Sequence, residues 1–209
     1  AYDAAMTYRS AATFPSAAIA WLAPPAPGRV LAVGRTSAAT AHRLSGQGNR
    51  VLLTDRSGSA ARAGQHRYPD LIGIAAAPEA LPFRPCSFDQ VLIAQGMHQL
   101  ATGLALDEFA RVLAPGGTLA VQYTVRDDSV PWVRRLAAIL HAWDPGVMTA
   151  GEELYSVSAI AASPHFPVVE HRAFRRWVPI TRQGMLELVS SAPRLATLER
   201  TDADRLLAE

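Results

Sequence analysis

The amino-acid sequence predicts a single α/β domain whose core is a mostly parallel sheet. From Arg29 onward, short runs of β-branched and aliphatic residues alternate with alanine-rich helical stretches, which is the pattern of successive βαβ units. The chain has 209 residues, of which 49% are hydrophobic and 18% charged. It is therefore long and apolar enough for one buried core, and too short for two domains of ordinary size.

Five strands are predicted between residues 29 and 125. The fourth is almost continuously apolar, as a strand buried on both faces requires. The second is followed directly by Asp55, and the fifth is preceded by Pro115-Gly116-Gly117, which sets a tight turn. The predicted strands are Arg29–Gly34, Arg50–Thr54, Leu71–Ala75, Phe88–Ala94 and Thr118–Val125.

Helices are predicted between these strands and at both ends of the chain. The helix after the first strand has Thr36 or Ser37 as its N-cap, and the helix before the fifth strand ends at the Pro-Gly-Gly turn. The predicted helices are Ser16–Leu22, Ser37–Leu44, Ser57–His66, Leu106–Leu113, Val130–Trp143, Thr181–Ser190 and Leu195–Ala208.

The C-terminal part also contains Val168–Ile180, which predicts one further strand that is rich in arginine. The single domain is therefore expected to have an N-terminal cap segment (residues 1–28), a core of β/α units (29–125), and C-terminal helices with a strand (126–209). No internal repeat divides these parts.

Composition and charge argue against several classes of partner. The net charge of +2 is too small to indicate a nucleic-acid partner, and no stretch approaches the roughly 20 apolar residues that span a bilayer. Cys86 is the only cysteine, and His141, His165 and His171 lack ligand spacing, so no disulfide and no metal site are expected. The cytoplasm is the expected compartment, and the oligomeric state is left open.

Three short segments carry a resemblance to a known family. They are Glu79–Phe83 (Glu-Ala-Leu-Pro-Phe), Ser87–Asp89 (Ser-Phe-Asp) and Ala110–Leu119, which contains Arg-Val-Leu-Ala-Pro-Gly-Gly. In this order and spacing they resemble the class I S-adenosylmethionine-dependent methyltransferases that act on small molecules. The resemblance implies a Rossmann-like, doubly wound, mostly parallel sheet with helices on both faces, and S-adenosylmethionine as the cofactor.

Two further segments extend the resemblance over nearly the whole chain. Arg126–Trp132 looks like the stretch after the fifth strand in one bacterial and fungal subgroup, and Tyr8-Arg9 and Phe14-Pro15 match its N-terminal pairs. The family has one more strand after the position of Ala208, for which this sequence has no residues. The resemblance thus leads us to expect a truncated or deleted C-terminal strand.

The resemblance places the donor site at the carboxyl ends of the strands, where the strand order reverses. Asp55 follows the first turn by about 20 residues, the position of an acid that accepts hydrogen bonds from ribose hydroxyls. The alternative for Asp55 is an exposed strand-end or helix-capping residue. The donor-binding residues that the resemblance implies are Gly34, Thr36, Asp55, Arg56, Ala80, Leu81 and Gln95.

The glycine-rich turn departs from the family pattern. The matching positions hold Ala32, Gly34, Thr36 and Ala38, so only one glycine remains and the usual acidic residue is absent. Ala77 stands where an aspartate usually holds the adenine amino group. Each lost hydrogen bond is worth about 1 to 3 kcal/mol, so we expect donor affinity to fall by a factor on the order of a hundred.

The acceptor side is implied by Gln95-Gly96-Met97-His98, which is similar to the family's Gln-x-x-His pattern. His98 would serve as a general base or orient the acceptor, or it packs in a loop without a catalytic role. Tyr8 and Arg9 would close over the pocket, unless they lie on a surface helix. Together with Arg126 they are the expected contacts of a small-molecule acceptor.

Two functions therefore remain open at this stage. The first is methyl transfer from S-adenosylmethionine to an oxygen, nitrogen or carbon nucleophile of a small molecule. The second is a catalytically degenerate relative that acts as a binding or interaction module, which the residues at the turn favour. A nicotinamide-dependent dehydrogenase is a distant third, because Gly34–Ala39 lacks the Gly-x-Gly-x-x-Gly pattern.

Overall fold

A computed structural model describes residues 14–97, 100, 103–125, 127–143, 157–177, 181 and 183. These residues fall into two compact units. One contains the described residues between 14 and 124 and between 157 and 175, and the other contains those between 125 and 143 together with 176, 177, 181 and 183. The larger unit holds the sheet.

The sheet has five parallel strands in the order β3-β2-β1-β4-β5. The order reverses between β1 and β4, so two βα halves diverge from that point, as in a doubly wound sheet. This confirms the predicted fold class. The strands are β1 (Arg29–Val33), β2 (Arg50–Asp55), β3 (Ile72–Ala75), β4 (Phe88–Ala94) and β5 (Leu113–Gln122).

Helices cover both faces of the sheet. On one face Ile19 and Leu44 pack with Val30 and Leu92, and on the other face Phe109 packs with Val91. All six side chains are essentially inaccessible to solvent. Successive residues of a strand therefore pack into different cores, one on each face of the sheet. The helices whose bounds are described are α1 (Ser16–Leu22), α2 (Ala38–Ser45), α3 (Gly58–Arg67), α4 (Gly103–Val112) and α5 (Pro131–Trp143), the last in the smaller unit.

The turn between β1 and α2 differs from the prediction. A single turn of 3-10 helix, Arg35–Ser37, precedes α2, and no side chain caps the helix N-terminus. Ser37 is the N-cap residue, one of the two predicted, but its side chain makes no capping hydrogen bond. The Ser37 hydroxyl makes its hydrogen bonds with β1 and β4 instead.

The start of β5 also differs from the prediction. The strand begins at Leu113, opposite Phe88, and the next pair in the register is Gln90 with Thr118, so the Pro-Gly-Gly segment is a bulge inside the strand. A β-carbon on Gly117 would lie 3.0 Å from the Asp89 carbonyl oxygen. Glycine is required there because the two backbones approach so closely.

The predicted strand Val168–Ile180 is wrong over residues 168–177, which have no regular secondary structure; residues 178–180 lie outside the described part. Within the described ranges no strand pairs with this segment, and an extended chain without a ladder partner is not a strand. The predicted helix Leu195–Ala208 and nearly all of Thr181–Ser190 also lie outside the described residues. Among the helices that are described, none has the length and apolar character needed to cross a bilayer.

Candidate functional site

The candidate site lies at the carboxyl edge of the sheet, on either side of the reversal in strand order. Backbone hydrogen bonds extend the ladders beyond the strand ends. The Gly34 N–H donates to the Thr54 carbonyl (2.7 Å), and the Gln95 N–H donates to the Gln122 carbonyl (2.6 Å). The chain after β1 is thus attached to β2, the chain after β4 is attached to β5, and a crevice opens between them.

The turn after β1 forms one wall of this crevice. Gly34 has a φ of +82°, a left-handed conformation that glycine adopts without strain. Thr36 is exposed on the turn, and its hydroxyl oxygen lies 3.7 Å from where a Gly34 β-carbon would be. Ala32 and Ala38 are buried in the core beneath the turn.

The Asp55 carboxylate is fixed at the end of β2 by two backbone donors. One oxygen accepts from the Arg35 N–H (2.9 Å) and the other accepts from the Ser57 N–H (2.8 Å). The cap of α3 is Ser57, whose hydroxyl accepts from Ala60 N, so Asp55 is not the capping residue. A carboxylate has about four acceptor positions, so two remain on Asp55, as far as the described residues extend, for a ligand with paired hydroxyls.

An ion pair lies beside Asp55. The Arg56 guanidinium donates to Glu79 at 2.5 Å, and it joins the residue after β2 to the loop after β3. Glu79 is the more buried partner, with 25% of its side chain exposed against 65% for Arg56. A solvent-facing pair of this kind contributes little to stability, and in this structure it places the guanidinium beside the loop after β3.

The loop after β3 is held in a defined shape. The Ala80 N–H donates to the Ala77 carbonyl (3.0 Å), and the two residues form an isolated antiparallel bridge. Leu81 is buried, and its N–H donates to a carboxylate oxygen of Glu108 (2.8 Å). The N–H groups of Ala80 and Leu81 are therefore both engaged within the protein.

Glu108 and Arg111, both on α4, attach this loop to the helix. Arg111 donates to both Glu108 oxygens (2.6 and 2.7 Å) and to the carbonyls of Leu81 (3.0 Å) and Phe83 (2.8 Å). The hydrogen bonds from Arg111 lower the pKa of the Glu108 carboxyl despite its partial burial. Sequence reasoning missed this role, although the i, i+3 spacing of an acid and an arginine was a visible signal.

The residue after β4 is held in a strained conformation. Gln95 has a φ of +64° and is followed by Gly96 at +73°. Its side-chain amide donates to the Thr124 hydroxyl (3.0 Å), beyond the end of β5. A positive φ at a residue other than glycine is uncommon and is often found at functional sites.

The structure thus brings Gly34, Thr36, Asp55 and Arg56 to the β1–β2 side of this edge, with Ala80 and Leu81 in the next loop and Gln95 after β4. The predicted acceptor-side residues His98, Tyr8, Arg9 and Arg126 lie outside the described residues. In the described ranges no three His, Cys, Asp or Glu side chains cluster as metal ligands, and the expectation of no metal stays a prediction.

Comparison with known proteins bears on the identity of the sheet-forming segment. Residues 31–121 match a family described as "Methyltransferase domain". This segment is therefore similar to a methyltransferase domain over somewhat less than half of the chain. The matched range begins within β1 and ends within β5, so it includes most of the sheet.

Similar proteins are found in several bacteria. An uncharacterized methyltransferase of Mycobacterium tuberculosis H37Rv is 33% identical over 132 residues, which cover 63% of this chain and 54% of that protein. A demethylmenaquinone methyltransferase of Beutenbergia cavernae is 36% identical over 94 residues, 44% of this chain and 39% of that protein. The chain thus spans about half the length of the mycobacterial relatives that it matches.

Solved structures of similar fold include a SAM-dependent methyltransferase from Thermotoga maritima. It superposes with a TM-score of 0.48 at 21% sequence identity, covering 69% of this chain and 68% of that chain.

Proposed function

We propose that this protein transfers a methyl group from S-adenosylmethionine to an oxygen, nitrogen or carbon nucleophile of a small molecule. The observation that carries the proposal is the Asp55 carboxylate, fixed at the end of β2 beside the reversal in strand order. The donor site that we propose consists of Gly34, Thr36, Asp55, Arg56, Ala80, Leu81 and Gln95.

Asp55 has the chemistry that the ribose end of the donor requires. Its two backbone donors, Arg35 N–H and Ser57 N–H, orient the carboxylate before any ligand binds. The remaining acceptor positions match two ribose hydroxyls, each of which donates one hydrogen bond. Hydrogen bonds to an ionised group are the stronger kind, so this contact would contribute a large share of donor affinity.

The adenine end of the donor would meet an apolar and a charged surface. Leu81 supplies a buried side chain, and the guanidinium of Arg56 lies at the end of β2, where a flat ring can stack on it. Because the N–H groups of Ala80 and Leu81 are engaged, recognition there would depend on packing more than on backbone hydrogen bonds.

The bound donor would supply a methyl group on a positively charged sulfur, which needs only an aligned nucleophile. Gln95, attached to Thr124, would define the end of the crevice nearest the acceptor. His98 is proposed to accept the proton of the nucleophile or to orient it, and Tyr8, Arg9 and Arg126 to contact the acceptor. The similarity to a demethylmenaquinone methyltransferase supports a small-molecule acceptor.

The proposal is tested by calorimetric titration with S-adenosylhomocysteine, the demethylated donor. We expect saturable binding by the wild-type chain and its loss in Asp55→Ala. Asp70→Ala is the matched control, because Asp70 is a surface carboxylate paired with His42 and should leave the affinity unchanged. Equal affinity in wild type and Asp55→Ala would refute the assignment of the ribose site.

A second candidate is a binding module that has the scaffold but no working donor site. Thr36, exposed on the turn where the family has glycine, favours it, as do Ala38 and Ala77. If the turn only weakens binding, the triple variant Thr36→Gly, Ala38→Gly and Ala77→Asp should raise affinity at least about tenfold, or 1.4 kcal/mol. No binding by either form at millimolar ligand would favour the binding module.

A further inference from the structure

The Ser37 side chain bridges β1 and β4 at the point where the sheet divides. Ser37 is the last residue of the 3-10 turn and is fully buried. Its hydroxyl donates to the Val33 carbonyl at 2.6 Å and accepts from the Ala94 N–H at 2.8 Å. One hydroxyl therefore joins the last residue of β1 to the last residue of β4.

The position of this bridge follows from the register. Val33 is paired with Ile93 in the last rung between β1 and β4. Beyond that rung, Gly34 bonds to β2 and Gln95 bonds to β5, so the two backbones separate. The Ser37 hydroxyl lies at the base of the crevice that this separation opens.

A second hydroxyl tethers α2 one turn later. Thr40 donates to the side-chain oxygen of Gln122 at 2.8 Å, and both residues are buried. Gln122 stands opposite Ala94 in the register of β4 with β5. The start of α2 is thus attached to β4 through Ser37 and to β5 through Thr40.

The same turn is attached to β2 on its other side through the Arg35 N–H and Asp55. Arg35 and Ser37 are two residues apart, so the position of the turn determines how Asp55 and Gln95 are spaced across the crevice. We propose that Ser37 is a positioning residue that holds this turn between the donor-binding groups, with Thr40 as a second tether. This inference rests on the proposed donor site.

The proposal distinguishes positioning from a merely structural role. Ser37→Ala leaves the Ala94 N–H and Val33 carbonyl without the bridging hydroxyl, and Ser37→Thr restores a hydroxyl at the same carbon. Thr54→Val is the matched control, because the Thr54 hydroxyl is equally buried and, among the described residues, hydrogen-bonds only to the Ala32 carbonyl, at 3.4 Å. Ser37→Ala and Thr54→Val each remove one buried hydroxyl, but only Ser37 lies in the turn.

The experiment is titration of the four folded proteins with S-adenosylhomocysteine, together with amide hydrogen exchange. We expect the Kd to rise at least about tenfold in Ser37→Ala, about 1.4 kcal/mol, while Ser37→Thr and Thr54→Val stay within about threefold of wild type. A Kd in Ser37→Ala within about threefold of wild type would overturn the proposal. Should Ser37→Ala fail to fold, Thr40→Val takes its place in the titration. An unchanged Kd in Thr40→Val would then overturn the proposal.

A wild-type protein that does not bind S-adenosylhomocysteine would give a different set of results. If wild type binds no ligand, the proposed function fails, and Ser37 is judged by hydrogen exchange alone. Exchange at the Ala94 amide that is at least about tenfold faster in Ser37→Ala than in Thr54→Val supports the bridge, and equal exchange overturns it.

Discussion

Substitution of Glu108 should destabilise the larger unit by loosening the loop after β3. The Glu108 carboxylate, with 19% of its side chain exposed, accepts from Arg111 and from the Leu81 N–H. Glu108→Gln removes the charge and replaces one of the two accepting oxygens with an NH2 group, which cannot accept from the donor that faces it. Hydrogen bonds to charged groups are worth about 1.5 to 3 kcal/mol, so after allowance for partial exposure we expect a loss of about 2 kcal/mol.

The assay is thermal unfolding of the wild-type chain and two variants. A loss of about 2 kcal/mol corresponds to a fall in Tm of about 4 to 8 °C for a chain of this size. Asp107→Asn is the control on the same helix, since Asp107 is 62% exposed and pairs only with His165 among the described residues. Its unfolding free energy should change by about 0.5 kcal/mol or less.

The two variants should also differ in how much stability they lose at acidic pH. The pKa of Glu108 is lowered by Arg111, so its contribution to stability is complete above the ordinary glutamate pKa and is lost as the pH falls through the lowered value. Glu108→Gln should therefore lose less stability on acidification than wild type. A Tm for Glu108→Gln equal to that of Asp107→Asn would refute the role given to this carboxylate.

Three other predictions concern the strand ends. Arg29 donates to Asp89 and lowers the pKa of that carboxyl to about 2. Asp89→Asn should therefore reduce the unfolding free energy at neutral pH. In urea titrations, the fall of the unfolding free energy between about pH 4 and pH 2 should be smaller in this variant than in wild type. Gln95→Gly relieves the positive φ and should change the unfolding free energy by less than about 1 kcal/mol, whereas β-branched Gln95→Val should cost about 1 to 3 kcal/mol. Gly117→Ala should destabilise by at least about 1 kcal/mol because its β-carbon would meet the Asp89 carbonyl; unfolding like wild type would contradict the bulge geometry.

The local elements were predictable because local chemistry determines them. The bounds of Ser16–Leu22 and Phe88–Ala94 agree with the structure at both ends, since an apolar run and a clear change of composition mark them. The beginning of β5 could not be read from Pro115-Gly116-Gly117, because the bulge depends on Leu113 pairing with Phe88 across the sheet. Val168–Ile180 has the composition of a strand, but composition does not supply a pairing partner.

The candidate site was predictable only in part. Asp55 could be placed from its distance to the first turn and from the motifs that surround it. The Glu108–Arg111 pair has a visible i, i+3 spacing, but the loop that Glu108 holds could not be read from it, because that loop's backbone lies 27 residues away. The bridge made by Ser37 could not be predicted either, because it reaches a backbone 57 residues away. Such bonds leave no local pattern in a single sequence.

Titration of the intact chain with S-adenosylhomocysteine is the most direct test of the central claim, that Asp55 anchors a methyl donor at the reversal of the strand order. The account predicts saturable binding that disappears in Asp55→Ala and persists in Asp70→Ala. The absence of binding at millimolar ligand by wild-type protein that is folded by circular dichroism would contradict it.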